Sequence, residues 1–359
     1  MTFKSNQSPQ VSICIPTYNG RDQLKECIES VRAQSFKDFE VLICDDQSSD
    51  GTLDYARDLA QGDERFRFIS NPCRYGLVGN WNNCIQTARG EWIKFVFQDD
   101  IIAPQCVEKL LQACRLSGKP FAFCAREFIF EDGVNSSLRH WLTFHQAEVD
   151  ATYVKKSVIE ADQIIQLALQ RPDRNVVGEP TSTLIQKSAF ERVGLFDEAL
   201  IQLCDAEFWF RIMSNFGAAW VPERLATFRV HAKATTSKNQ IQRRFRLAVL
   251  DPLVIVYRFA FDRHFAVLRA AKSPGKSRYS LTKQCASLAY HARQEAERPA
   301  ESGSIPGIDQ MKEWNAVILY CPRLQWLASV GEVIERCRFM KNAARKIVKS
   351  RYFGVRDAN

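Results

Sequence analysis

Twice within its first hundred residues the chain runs through a short apolar, β-forming stretch and stops on adjacent carboxylates. Phe39-Glu40-Val41-Leu42-Ile43-Cys44 leads into Asp45-Asp46, and Trp92-Ile93-Lys94-Phe95-Val96-Phe97 leads through Gln98 into Asp99-Asp100. An ionised carboxylate inside an apolar strand is costly or stays protonated, so a buried strand ending this way is expected to turn its acids toward a cleft. A third run, residues 11–15, ends on Pro16-Thr17-Tyr18-Asn19-Gly20, which is turn chemistry. Between these runs the apolar residues switch to helical spacing: Leu24, Cys27, Ile28 and Val31; then Leu53, Ala56 and Leu59; then residues 81–88, closed by Gly90; then residues 104–115. With residues 66–69 as a further strand, this alternation predicts an α/β fold with a Rossmann-like, doubly wound and mostly parallel sheet. Ligands bind such sheets at the carboxyl ends of the strands, where these acids would stand.

The first strand is not followed by Gly-x-Gly-x-x-Gly, and no Gly-x-x-x-x-Gly-Lys-Ser/Thr occurs, so phosphate is not held by a glycine cradle. Two hard oxygen ligands at one strand end suit a divalent cation, Mg²⁺ or Mn²⁺, and through it a substrate carrying phosphates. Asp is also a common turn and cap residue, and that reading competes. Farther on, the pattern loosens over residues 121–130, and a polar, hairpin-like stretch surrounds Glu131-Asp132-Gly133. Residues 159–169 read as helix and 180–185 as a strand entered through a turn. In Asp205-Ala206-Glu207-Phe208-Trp209-Phe210-Arg211-Ile212 the residues Phe208, Trp209 and Ile212 share a helical face. Asp205 therefore stands near a helix N-terminus, where the dipole favours its charge and its side chain is free to point at a cleft.

Five stretches in series resemble the successive motifs of the family 2 glycosyltransferases of GT-A fold, over roughly residues 11–231. They are Ile15-Pro16-Thr17-Tyr18-Asn19, Asp45-Asp46-Gln47-Ser48-Ser49-Asp50-Gly51-Thr52, Gly90-Glu91-Trp92-Ile93 with Gln98-Asp99-Asp100, Val193-Gly194-Leu195-Phe196-Asp197-Glu198, and Asp205 to Arg211. The resemblance implies roles position by position. Pro16, Tyr18 and Asn19 match the loop lining the nucleotide pocket, with Tyr18 a candidate to stack on the base. Asp46 matches the acid that accepts a hydrogen bond from the base, while Asp45 serves the fold. Asp99 and Asp100 match the DxD-type region that binds ribose and the Mg²⁺ or Mn²⁺ bridging the donor diphosphate. His231 resembles a His seen after the acceptor-side region, a candidate metal or diphosphate contact. Asp205 matches the catalytic base of inverting members, which takes a proton from the acceptor hydroxyl as it attacks the anomeric carbon.

The implied reaction moves a sugar from a nucleotide-diphosphate-sugar donor to a hydroxyl of a saccharide or lipid-linked acceptor, in bacterial-type cell-surface polysaccharide synthesis. Two positions depart from the family pattern. Phe97 stands where many relatives carry an additional Asp, and Asn80-Trp81-Asn82 where many carry Ala-Arg-Asn. Phe97 and Trp81 make a nucleotide-sugar-binding protein without turnover the main rival, and a sugar nucleotidyltransferase is a more remote alternative.

Charge is divided unevenly. Residues 1–239 carry 27 Lys and Arg against 31 Asp and Glu, and residues 240–359 carry 22 against 10, so the whole excess of +8 lies in the C-terminal third. This division predicts a catalytic domain over residues 1–239 and a basic, mainly helical region over 240–359. Within the latter, helices with cationic and apolar faces are expected over 240–269, Pro252 limiting the first, and residues 273–277 and 298–307 read as connections. Such a region suits an anionic membrane surface, or packing on the catalytic domain or another subunit. No nucleic-acid recognition motif accompanies the charge. The first dozen residues lack the segments of a signal peptide, and no run of eighteen apolar residues occurs. The twelve cysteines, without zinc or redox spacing, suit a reducing compartment. The expected location is cytoplasmic, peripheral to the inner face of the plasma membrane where the basic region binds it.

Overall fold

A computed structural model describes residues 8–172, 174–231, 234, 239, 243–271, 281–298 and 309–353, with side chains described as far as residue 340. The chain forms two compact units, Met1–Ile241 with His264–Ala271, and Gln242–Arg263 with Lys272–Asn359.

The first unit is built on one mixed sheet. Its strands are β1 (Val11–Thr17), β2 (Phe39–Asp45), β3 (Phe66–Ser70), β4 (Trp92–Phe95), β5 (Ile101–Ile102), β6 (Phe121–Phe130), β7 (Val158–Ile159), β8 (Thr183–Gln186) and β9 (Ala218–Val230). They lie in the order β3-β2-β1-β4-β8-β6-β9-β5, with β7 on β9. From β3 to β4 every pairing is parallel, as the alternating sequence requires. Beyond β4 the sheet is mixed. Strand β8, entered through the 3₁₀ turn Pro180–Ser182, runs antiparallel to both β4 and β6, and β5 runs antiparallel to β9. Strands β1 and β2 are buried along their whole length, which explains why they read as unbroken apolar runs. Val11, Ile13, Ile15, Val41 and Ile43 share a core with Leu24, Ile28 and Val31 of helix α1 (Leu24–Arg32).

The remaining helices of this unit include α2 (Thr52–Leu59), α3 (Gly76–Thr87), α4 (Cys106–Ser117), α5 (Ser136–Tyr153), α6 (Ala161–Gln170), α7 (Lys187–Val193) and α8 (Cys204–Phe216). Three elements differ from the sequence reading. Strand β1 continues through Pro16, which pairs with Cys44, so Pro16 belongs to the strand and not to the loop after it. Helix α3 starts at Gly76, well before residue 81, because the distant Asp46 accepts hydrogen bonds from the N–H groups of Tyr75 and Gly76. The stretch after residue 130 is a long helix whose N-terminus is capped by Asn135, which accepts from Ser137 N at 2.7 Å.

The second unit is helical. Helix Asp251–Phe261 follows a short π-helical turn, Arg246–Leu250, and carries Pro252 in its first turn, where no hydrogen-bond donor is needed. Leu253, Val254, Ile255, Val256 and Phe259 are all buried, so this helix is core to its unit and lacks the solvent-facing cationic side expected of it. Helices Leu281–Ala296 and Leu324–Phe353 pack closely. A side chain in place of Gly331 would collide with the backbone of Ala286. Residues 273–277 and 299–307, expected as connections, lie outside the described residues. No helix among the described residues is long and apolar enough to cross a membrane, and the twelve cysteines are free.

Candidate active site

The parallel half of the sheet delivers its acids to one edge, and their surroundings differ. Asp45 accepts hydrogen bonds from Thr17 Oγ1 at 2.9 Å and from Ser48 N at 2.9 Å, which locks the β1 and β2 ends together. Asp46 is buried. Its Oδ1 accepts from Asn71 Nδ2 at 2.9 Å and Tyr75 N at 2.7 Å, and its Oδ2 accepts from Gly76 N at 2.9 Å. Asn80 extends this joint, donating to Cys44 O at 2.9 Å and accepting from Asn71.

Tyr18 stands just beyond β1. The Gln98 amide holds its backbone from both sides, accepting from Tyr18 N at 2.9 Å and donating to Tyr18 O at 3.2 Å. The loop expected to line a nucleotide pocket is thereby tied to the residue preceding Asp99. The Arg74 guanidinium covers one face of the Tyr18 ring at 3.8 Å from its centroid. Asn19 is exposed, adopts φ +46°, and accepts from Ser49 N at 2.8 Å.

Asp99 and Asp100 are adjacent in sequence but not equivalent. Asp100 is fully buried and does not face a cleft, contrary to the sequence expectation. Thr181 Oγ1 donates to its Oδ2 at 2.5 Å and Arg229 N to its Oδ1 at 3.1 Å, and burial, with the neighbouring charge of Asp99, pushes its pKa well up. The Asp99 side chain keeps 19% exposure and lies 3.1 Å from His231 Nε2. That meeting follows from the antiparallel register of β5 on β9, Ile101 opposite Thr227, which carries the end of β9 past the acid pair.

A divalent cation fits this donor set in a limited way. A carboxylate oxygen and an imidazole nitrogen 3.1 Å apart can serve one ion as neighbouring ligands. Asp100 is a poor ligand because protein donors already occupy both of its oxygens. No group of three or more His, Cys, Asp or Glu arranged to hold a metal occurs among the described residues, so further ligands would come from a phosphate-bearing substrate.

Asp205 opens the first turn of α8. Asn175 Nδ2 donates to its Oδ2 at 3.0 Å and Ala206 N to its Oδ1 at 2.7 Å. The residue retains some exposure, yet enough protein surrounds the carboxyl that burial pushes its pKa up to about 7, against the opposing pull of Ala206 N–H, the Arg126 charge and Asn175. Arg126, buried in β6, feels the charges of Asp205, Asp100 and Asp150. Its other partners are Glu179, Gln146 Oε1 at 2.7 Å and His145 Nδ1 at 3.0 Å.

One segment, Asn175-Val176-Val177-Gly178-Glu179-Pro180-Thr181, joins these parts. Asn175 holds Asp205, Glu179 pairs with Arg126, and Thr181 holds Asp100. Gly178 adopts φ +116°, and a side chain there would strike the Arg126 guanidinium. Sequence reasoning missed Asn175, Arg126, Thr181, Gln98 and Arg74. The Gly-Glu-Pro turn was a visible signal for the segment, but nothing local signalled its partners.

The two departures from the family pattern meet in space. Trp81 and Phe97 stack at 4.8 Å between centroids with 26° between planes, and Phe196 meets Trp81 edge-on at 5.3 Å. Asn82 makes two hydrogen bonds to the backbone of Phe196, one each way, both 3.0 Å. An aromatic pair and two amide joints thus fill the place beneath Gln98 and Asp99. A separate cavity of 490 Å³, bordered by Gln10, Arg89, Glu91 and Lys187, lies at the opposite, amino-terminal ends of β1 and β4, away from every acid named above.

Comparison with known proteins bears on family and fold. An uncharacterized protein of Mycobacterium tuberculosis is 28% identical over 254 residues, covering 68% of this chain and 77% of its own. A GalNAc(5)-diNAcBac-PP-undecaprenol beta-1,3-glucosyltransferase of Campylobacter jejuni is 34% identical over 105 residues, 29% of this chain and 34% of its own. The crystal structure of Staphylococcus aureus TarS 1-349 in complex with UDP-GlcNAc superposes with a TM-score of 0.54 at 16% identity, over 94% of this chain and 92% of that one, a likeness of fold, GT-A. The family model described as Glycosyl transferase family 2 matches residues 12–194, half of the chain, and the protein belongs to that family.

Proposed function

We propose that this protein transfers a sugar, with inversion, from a nucleotide-diphosphate donor to a hydroxyl of a saccharide or lipid-linked saccharide, with Asp205 as the general base. The observation that carries this reading is the state of Asp205: a carboxyl near pKa 7, in the first turn of a helix, held by Asn175 of the same segment whose Thr181 holds Asp100. A base of that strength is half ionised near neutrality and strong enough to accept the proton of an attacking hydroxyl. Tyr18 and Asn19 form the donor-base side of the site, Asp46, whose oxygens already accept three protein hydrogen bonds, fixes the start of α3 behind them, and Pro16 sets the end of the strand. Asp99 and His231 would hold Mg²⁺ or Mn²⁺ with the donor diphosphate, while Asp100 shapes the turn that presents Asp99. The charge that grows on the departing diphosphate is what a bound divalent cation offsets. The name of the Campylobacter relative supports a lipid-linked acceptor, and a membrane-facing role of residues 240–359 in a cytoplasmic protein would match such a substrate.

A panel of nucleotide sugars screened by thermal shift, with and without Mn²⁺, identifies the donor, because a ligand bound by the folded form raises Tm. With that donor, Asp205→Asn is expected to keep the shift and to lose transfer by orders of magnitude. Wild-type protein that binds the donor but transfers nothing to any acceptor would support the non-catalytic rival instead. Pyrophosphate formed from a nucleoside triphosphate and a sugar phosphate would support the nucleotidyltransferase.

A further inference from the structure

Helix α5 buries Leu138, Leu142, His145, Gln146, Val149 and Tyr153, and its fold needs no more than that face. On the other side two large aromatics stand in solvent, Trp141 at 55% exposure and Phe144 at 56%. Both are half of a ring pair one helical turn apart. Trp141 lies over His145 at 5.6 Å with 21° between planes, and His140 over Phe144 at 6.5 Å with 19°. Two exposed aromatic rings three residues apart on one helix make a candidate contact surface.

Trp141 is linked to the candidate active site through His145 and Asn175. Arginine only donates, so the contact from Arg126 to His145 Nδ1 leaves the imidazole proton on Nε2, which donates to Asn175 O at 2.6 Å. Asn175 in turn holds Asp205. From the Trp141 ring to the carboxyl of Asp205 the path is therefore one ring stack and two hydrogen bonds. Burial and the charge of Arg126 push the His145 pKa down to about 4, so the ring beneath Trp141 is neutral at neutral pH. Arg139, the cation next along the helix, lies over Phe130 at 4.6 Å. The exposed surface of Trp141 is thus aromatic, flat and backed by a neutral ring. That chemistry fits the C–H face of a pyranose, whose hydroxyls point outward from the ring edge, better than an anionic headgroup.

We propose that Trp141 and Phe144 form a stacking platform for a neutral sugar ring of the acceptor, one unit removed from the hydroxyl presented to Asp205. The inference rests on the transferase reading, but its test reads binding and not turnover. The probes are the methyl β-glycosides of glucose, galactose, N-acetylglucosamine and N-acetylgalactosamine, titrated into full-length protein while the indole N–H resonances of its seven tryptophans are followed by NMR. The Trp141 resonance is assigned by its absence in Trp141→Phe. It is expected to shift with at least one glycoside, while those of the buried Trp81 and Trp209 stay in place. With affinity read instead from saturation transfer to the glycoside's own protons, Trp141→Phe, which keeps a flat ring, should retain binding, and Trp141→Ala should weaken it about five- to tenfold. The shift should persist in Asp205→Asn, so a protein that fails to transfer sugar still tests the platform. No shift at Trp141 with any of the four glycosides, or equal affinity in Trp141→Ala, overturns the proposal. So does a Trp141 resonance that moves with phosphatidylglycerol vesicles and with no glycoside.

Discussion

Asn175 Nδ2 donates to Asp205 Oδ2 across 3.0 Å, while the Oδ1 of the same asparagine receives the N–H groups of Val177 and Gly178 at 3.1 and 2.8 Å. A side chain fixed by its own backbone in this way cannot turn aside, so it stabilises the ionised form of Asp205 at a set direction. Asn175→Ala removes that donor and is expected to raise the pKa of Asp205. The acid limb of the pH–rate profile should move up by about one unit or less, with a lower plateau. A purely structural role would lower the rate at every pH and leave the limb in place.

The raised pKa of Asp205 also bears on stability. The unfolded chain titrates this group near its ordinary value of 3.8 and the folded chain at about 7. Between those values the folded form holds more protons, so this group's contribution to stability falls as pH rises from about 4 to about 7 and is level above. His145 acts in the opposite sense, since its folded pKa of about 4 lies below its ordinary value of 6.5 and stability is lost as pH falls through that window. In Asp205→Asn the first dependence vanishes and the second remains. Denaturant midpoints measured from pH 4 to 8 should therefore rise with pH in the variant more steeply than in the wild type.

Thr181 is bonded twice, donating to the buried Asp100 and accepting from Phe97 N at 3.2 Å. Thr181→Val keeps the shape and strands both partners. A loss of about 2 kcal/mol is expected in urea unfolding. No change would mean that Asp100 is satisfied by other means.

Trp81 and Phe97 replace a polar pair with a stacked one. Trp81→Arg would set a guanidinium among Phe95, Phe97 and Phe196, and a loss of about 3 kcal/mol or more is expected. Adding Phe97→Asp should recover part of it, giving a coupling of about 1 kcal/mol or more in a double-mutant cycle. Additive losses would show that the two positions do not act as a pair.

His231 meets Asp99 from the far end of β9. His231→Ala should weaken Mn²⁺ binding in the presence of a nucleoside diphosphate by about tenfold, read by calorimetry, while donor binding without metal changes little. Equal Mn²⁺ affinity in the variant would leave His231 as a hydrogen-bond partner of Asp99 alone.

Local pattern was enough to place the strands carrying Asp45, Asp46, Asp99 and Asp100, and the helix that opens at Asp205, because strand and helix periodicity and the cost of burying charge act over short spans of chain. Family motifs added their order. The relation between those acids was decided elsewhere. Whether Asp99 or Asp100 turns to solvent depends on Thr181 and on the register of β5 against β9, more than eighty residues away in sequence. The start of α3 depends on Asp46, and the strength of Asp205 on Asn175 and Arg126. Hydrogen bonds of that range leave no periodic trace in the chain, since each needs only one suitable donor brought near by the sheet. Composition and periodicity therefore determined the elements and the residues fit for chemistry, and tertiary packing alone decided which carboxyl is exposed, which is buried, and which is poised near neutrality.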